Sequence, residues 1–279
     1  MNALTTPCPF CCHRQGSKWA EESSFTVIRC NSCRLLFLDP MPAPDKVNEA
    51  VRTGIQKFNS LNVNVRSRRS IKKIAIYRKV FETMFKQIWS SGKPIIWIDI
   101  GSGYGETLQA VKLLAPQNSI IKGVEPMKHK AEAAAGLGLD VINDYLQPGQ
   151  FQADVVSLID IYSHVPDFWT LLDSIKSNLK PQGEFFLESG NLADLDVRQE
   201  FFGELGLPDH LVFAGESHFV KYLESSGFEV LEIRRERADD LVDFVKSVGK
   251  KIIGRPVNIS VPYTSRYRQL KIRAKLKAV

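Results

Sequence analysis

The sequence predicts an α/β domain built on a doubly wound, mainly parallel sheet, and three observations carry that expectation. Short apolar runs alternate with amphipathic helical stretches from residue 95 to residue 233, the pattern of strands buried on both faces beneath crossover helices. A glycine-rich loop, Asp99-Ile100-Gly101-Ser102-Gly103-Tyr104-Gly105, leaves the first of those runs. Two C-x-x-C pairs, Cys8 with Cys11 and Cys30 with Cys33, mark a small module ahead of it.

A length of 279 residues accommodates one substantial α/β domain with small attachments. No apolar run reaches the roughly 18–20 residues that span a bilayer. Residues 1–10 lack the basic start and apolar core of a signal peptide, so the expected compartment is the cytoplasm. The predicted division is a zinc ribbon over 1–40, a basic helical linker or cap over 41–93, a core over 94–238 with an insert at about 190–215, and a basic C-terminal extension over 239–279. Residues 52–93 carry eleven Lys or Arg against one acid, and residues 250–279 carry nine and no acid. These flanks are either solvated faces or a surface for an anionic partner such as a nucleotide diphosphate, RNA or anionic lipid.

The elements follow in order. Residues 65–89 show helical spacing in Ile71, Ile74, Tyr77, Phe81, Met84, Phe85 and Ile88. Strands are predicted at 95–100, 120–125, 139–142, 153–159, 184–188 and 228–233, and helices at 106–115, 127–136, 167–179 and 216–226. Residues 239–253 read as helical.

Two ligands compete for the glycine loop. Its glycines permit a sharp turn and close approach of a ligand, and Glu125, twenty-four residues after Gly101, stands where an acid can receive ribose hydroxyls. A dinucleotide fingerprint needs glycine at 106, where this chain has Glu106, and that carboxylate would repel a pyrophosphate. A sulfonium nucleoside without phosphate removes the conflict. The D-x-G-x-G-x-G loop resembles motif I of class I methyltransferases, whose Rossmann-like fold binds S-adenosylmethionine. Residues 153–167, ending in His164-Val165-Pro166-Asp167, the Leu179-Lys180-Pro181-Gln182-Gly183 turn and Gly227-Phe228-Glu229-Val230 resemble further segments of that family. The resemblance covers residues 94–234 and implies a cofactor site at Asp99, Gly101, Gly103, Gly105, Glu125 and Asp160. The family's seventh, antiparallel strand has no counterpart that the pattern identifies. Asp144, after the third strand, is a candidate for the adenine amino group, or simply part of a polar turn.

The spacing C-x2-C-x18-C-x2-C is that of a zinc ribbon. Each C-x-x-C turn aims two thiolates at one point, and Cys8, Cys11, Cys30 and Cys33 complete a closed structural Zn2+ site. Paired disulfides and unrelated buried thiols are the alternatives. Cys12 either substitutes for Cys11 or is a spare thiol. Residues 30–40 resemble the "C-x-x-C-G-L-x-F-x-x-P-x-P" segment of a bacterial methyltransferase group associated with sugars of glycans and natural products, with Arg34 in place of glycine. Related zinc-containing sugar C-methyltransferases carry a further C-terminal domain, which the length leaves no room for.

Methyl transfer from a sulfonium demands alignment and exclusion of water, and a hydroxyl acceptor benefits from a histidine base. The resemblance puts His164 beside the acceptor pocket and His210 in the insert that covers it, so His210 is the first candidate base and His164 the second. A structural role competes for each. Tyr162 lines the acceptor pocket or packs in the core, and His218 falls near the start of the next helix. The expected activity is methylation of a small-molecule acceptor, a sugar hydroxyl of a nucleotide- or lipid-linked glycan, with the basic flanks meeting phosphate or touching an anionic surface. An RNA methyltransferase and a non-catalytic adaptor are the competing readings.

Overall fold

In the computed structural model, which describes residues 2–58, 61–64, 69–237, 245, 248–249, 251–252 and 264–278, the chain begins with an antiparallel ribbon of β1 (Asn2–Ala3), β2 (Gln15–Glu22), β3 (Phe25–Cys30) and β4 (Leu36–Leu38). Ser23 and Ser24 join β2 to β3 with φ of 51° and 69°, the pair of left-handed residues whose twist suits a two-residue hairpin. α1 (Pro44–Thr53) starts on a proline and stops at Gly54, whose φ is 68°. A hairpin of β5 (Ile55–Phe58) and β6 (Leu61–Asn64) follows.

Of the single helix expected over 65–89, residues 65–68 lie outside the described residues, and the described part holds two helices, α2 (Ile71–Met84) and α3 (Lys86–Ser90). Phe85 leaves helical geometry at the break, with φ −110° and ψ 25°. Its fully buried ring meets Trp97 at 5.0 Å and Phe186 at 6.0 Å, so core packing overrides helical propensity there. The alternation then runs β7 (Ile96–Ile100), α4 (Glu106–Lys112), β8 (Ile120–Val124), α5 (Lys128–Ala135), β9 (Asp140–Ile142), β10 (Ala153–Ile159), α6 (Phe168–Ser177), β11 (Leu179–Gly190), β12 (Val212–Phe213), α7 (Glu216–Ser225), β13 (Phe228–Arg237) and β14 (Arg268–Leu276). Among the described residues no helix is long and apolar enough to cross a membrane.

The main sheet has the order β9-β8-β7-β10-β11-β14-β13. The first five strands are parallel, and β14 is antiparallel to both neighbours. This is the doubly wound, mainly parallel sheet the pattern predicts. Its faces alternate as a pleated strand requires. Trp97, Val155 and Phe186 enter one core with Phe81 and Leu108, whereas Ile98, Val156 and Phe185 enter the other with Phe219.

Two expectations are corrected. The C-terminal extension drawn over 239–279 supplies the seventh strand, because β14 lies inside it and inside the sheet. Its basic residues hid it. Leu270, Ile272 and Ala274 are buried, while Arg273 makes a two-pronged bond to Glu184 at 2.6 and 2.8 Å and Lys271 pairs with Glu236. Those cations are neutralised by acids of adjacent strands, so they offer little to an anionic partner. The helix read over 239–253 falls largely outside the described residues.

The ribbon, expected as a module set off by its proline-rich break, is joined to the main fold. β12 pairs with β4 and completes a five-stranded sheet. Phe10, Val27 and Phe37 share one core with Ile98, Tyr162 and Phe219.

Candidate active site and metal centre

The strand order reverses between β7 and β10, and in such sheets the ligand crevice opens at the carboxyl ends of the strands on either side of that point. A cleft of about 800 Å³ lies there, near the upper end of small-molecule pockets.

The three loop glycines serve different ends. All have positive φ, at 67°, 55° and 81°. A Cβ on Gly101 would meet Ile161 Cδ1 at 2.3 Å, and one on Gly105 would meet Leu139 Cδ1 at 2.2 Å. Both are glycine because protein already fills the space. A Cβ on Gly103 would meet nothing within 4 Å, so Gly103 is the bare backbone that faces the cleft. Glu125 anchors this turn, accepting from Gly103 N at 2.7 Å and Met127 N at 2.8 Å, one on each carboxylate oxygen. Each oxygen retains a lone pair.

Asp99 lies beneath the loop. Trp97 Nε1 donates to Ser157 Oγ at 2.8 Å, and Ser157 Oγ donates to Asp99 Oδ1 at 2.5 Å. Burial pushes the Asp99 carboxyl up to about 7, against hydrogen bonds from Ser157 and Thr107 that pull it down. Glu106 is turned aside, accepting from Ser70 N at 2.7 Å and so docking the start of α2. Asp160 adopts φ 56° at the end of β10 and accepts from Gln269 Nε2 at 2.8 Å. Asp144 also lines the cleft, its Oδ1 accepting from Tyr145 N at 2.8 Å.

The opposite wall carries the histidines. His210 Nδ1 lies 2.7 Å from Leu205 O. A carbonyl only accepts, so Nδ1 holds the proton and the neutral ring presents its lone pair at Nε2. Burial and the neighbouring His164 hold His210 below its ordinary pKa. His164 Nδ1 donates to Asp209 O at 2.9 Å and stands 3.3 Å from Asp209 Oδ1. Burial depresses it, but the Asp209 side chain, charge and carbonyl prevail and hold His164 above its ordinary value. The pair can therefore present one charged and one neutral ring to the same cleft.

Tyr162 is fully buried and packs edge-on against Phe168 and Phe219, which settles its two readings in favour of packing. Phe201 and Tyr267 line the cleft with ring centroids 4.8 Å apart. Neither carried a sequence signal, because each belongs to an irregular segment.

Cys8, Cys11, Cys30 and Cys33 converge at the ribbon's end, with their ligand atoms within 4.8 Å of one another. Cys8 Sγ is 3.5 Å from Cys33 Sγ, and Cys11 Sγ is 3.6 Å from Cys30 Sγ. Tetrahedral zinc with bonds of about 2.3 Å sets its sulfurs roughly 3.8 Å apart, so the donor set fits that ion. Cys12 is exposed and outside the cluster. His218, in the first turn of α7, accepts from Gly215 N at 3.2 Å and donates from Nε2 to Cys33 O at 2.9 Å, tying this centre to the core.

The profile of the methyltransferase domain family matches residues 68–233, more than half of the chain. The C-methyltransferase NovU of Streptomyces niveus is 22% identical over 220 residues, 74% of this chain and 47% of NovU. The chain thus spans about half the length of that curated relative. Among solved structures, a SAM-dependent methyltransferase from Archaeoglobus fulgidus is 16% identical, with a TM-score of 0.49 over 71% of this chain and 94% of that one. Magnesium protoporphyrin IX methyltransferase from Synechocystis with bound SAM is 12% identical, with a TM-score of 0.45 over 76% and 86%.

Proposed function

This chain belongs to the methyltransferase domain family, and from that premise we propose that it methylates a small-molecule acceptor, a sugar hydroxyl of a nucleotide- or lipid-linked glycan, using S-adenosylmethionine. The observation that carries the reading is the juxtaposition, across one cleft, of the Gly103–Glu125 cradle and a neutral His210 whose proton is held on Nδ1.

The cradle fits the cofactor. Bare backbone at Gly103 admits a flat nucleoside, and the free lone pairs of Glu125 can receive a ribose diol. Asp99, Glu106, Glu125 and Asp160 line the cleft, a field that favours a sulfonium cation and opposes a pyrophosphate. Asp144 is assigned to the adenine edge. When bound, the cofactor supplies an electrophilic methyl group. The protein's part is to hold the acceptor in line, exclude water and accept the acceptor's proton at His210 Nε2. His164, charged beside it, helps to keep His210 neutral. Zn2+ at the four cysteines closes the ribbon and takes no part in the chemistry.

A second reading is favoured by the name of the curated relative, a C-methyltransferase. The same base would then take a proton from an acidic carbon. Product NMR separates an O-methyl from a C-methyl group.

The decisive experiment is calorimetric titration with S-adenosylhomocysteine beside NADH, with Glu125→Ala as control. Micromolar S-adenosylhomocysteine binding that weakens about tenfold or more in the variant is expected. NADH binding instead would overturn the assignment. No nucleoside binding would favour an adaptor, and salt-sensitive RNA retention an RNA methyltransferase.

A further inference from the structure

We propose that Glu22, at the tip of the ribbon, is a positioning residue for His210 and acts through the Leu205–Gly206 peptide. The inference rests on the assignment of His210 as base only for its consequence in catalysis.

Glu22 ends β2, immediately before the Ser23–Ser24 turn. Its two carboxylate oxygens take two successive amides of the insert, Leu205 N on Oε2 and Gly206 N on Oε1, each at 2.9 Å. The carbonyl of Leu205 accepts His210 Nδ1 at 2.7 Å. Gly206 N–H and Leu205 C=O are the two ends of one conjugated peptide unit. A carboxylate on the N–H end draws electron density toward the carbonyl oxygen and strengthens what that oxygen accepts. The arrangement is a carboxylate–imidazole pair with a peptide group interposed. It fixes the Nδ1–H tautomer, as a directly bonded carboxylate fixes other functional histidines.

Two further features show that the site is built for this contact. Gly206 has φ 70°, and a Cβ there would lie 3.1 Å from His210 Nδ1 and 3.3 Å from Cε1, so glycine satisfies both the turn and the approach of the ring. Arg198 approaches Glu22 Oε2, the oxygen that also takes Leu205 N, at 3.5 Å while donating to Phe201 O at 2.5 Å and Gly203 O at 2.8 Å. One ion pair thus gathers residues 198–206 around the ribbon tip. The ribbon also reaches His210 from the other side in sequence, because Leu38 N donates to Leu211 O at 2.9 Å.

The test is imidazole ¹⁵N NMR of histidine-labelled full-length protein with zinc bound, compared with Glu22→Gln and Glu22→Asp. In Glu22→Gln, the His210 pKa falls by about half a unit and the Nδ1–H tautomer loses population, while zinc content and S-adenosylhomocysteine affinity stay within about twofold. Glu22→Asp, which keeps the charge, recovers part of the shift. An unchanged His210 tautomer and pKa in a folded Glu22→Gln protein would overturn the proposal. In the unaltered protein, the Gly206 amide proton must move with the His210 titration, and a Gly206 amide indifferent to it would overturn the proposal even if the variant fails to fold. His210→Asn separates the two readings. If it retains methyl transfer while Glu22→Gln still shifts the His210 signals, His210 is not the base but the peptide-mediated contact stands.

Discussion

The imidazole rings of His164 and His210 meet edge to face with centroids 4.8 Å apart, and their environments push them in opposite directions. Asp209 outweighs burial at His164 and raises it, whereas burial, reinforced by His164, lowers His210. A group raised on folding contributes stability that is complete below its unfolded pKa, about 6.5, and is lost as pH rises through its folded pKa. A depressed group contributes stability that is complete above about 6.5 and is lost as pH falls through its folded pKa. Both contributions are therefore largely present near pH 6.5. Asp99, raised on folding to about 7, adds its own decline in stability as pH rises, so the histidine contribution is read as a difference: in melting temperature followed from pH 5 to 8, His164→Gln should flatten the decline on the alkaline side relative to the unaltered protein. The acid limb of kcat should lie below pH 6.5, at the lowered pKa of His210. An acid limb above that value would remove His210 from the role of base.

Gly103 and Gly105 should respond differently to alanine. Gly105→Ala meets Leu139 at 2.2 Å in a left-handed conformation and is expected to cost about 2–3 kcal/mol of folding stability. Gly103→Ala adds its methyl group to open space and should cost only about 1 kcal/mol, yet abolish most S-adenosylhomocysteine binding. Urea denaturation and calorimetry on both variants give the comparison; equal effects on binding and folding in the two would show that Gly103 does not face the ligand.

Removal of zinc should reach the wall that carries His164 and His210. β12 pairs with β4, and His218 bonds Cys33 O. Cys30→Ser or a strong chelator should therefore lower the melting temperature of the whole domain in one transition and broaden the His210 NMR signals. A separate ribbon transition that leaves the His210 signals untouched would contradict this coupling.

Ser157→Ala should leave Trp97 Nε1 and Asp99 Oδ1 buried without their present partner. The expected loss is about 2–3 kcal/mol in urea denaturation, with the Asp99 carboxyl driven above its value of about 7. Cofactor affinity should then weaken at neutral pH, because a protonated Asp99 no longer attracts a cation. Retained stability would show that the two groups find other partners.

Much of this architecture was legible because its signals are local. Each parallel strand is a short apolar run, the loop glycines sit at fixed spacing, and each cysteine pair makes its own turn. The first five strands, the glycine turn and the four-cysteine cluster needed no distant information. β14 was illegible for the opposite reason. Its Lys271 and Arg273 read as a solvated basic tail until Glu236 and Glu184, more than thirty positions away in sequence, are brought beside them.

By itself the sequence determined the alternation of strands and helices, the turn at Gly101–Gly105 and the pairing of cysteines, since each depends on residues within a few positions of one another. Only the tertiary structure decided that the ribbon and the insert share a sheet, that His164 and His210 stand together, and that Glu22 reaches the peptide holding His210. Those relationships join segments some 45 to 190 residues apart. No local propensity specifies them, because their hydrogen bonds form only after burial of the shared core has brought the segments into contact.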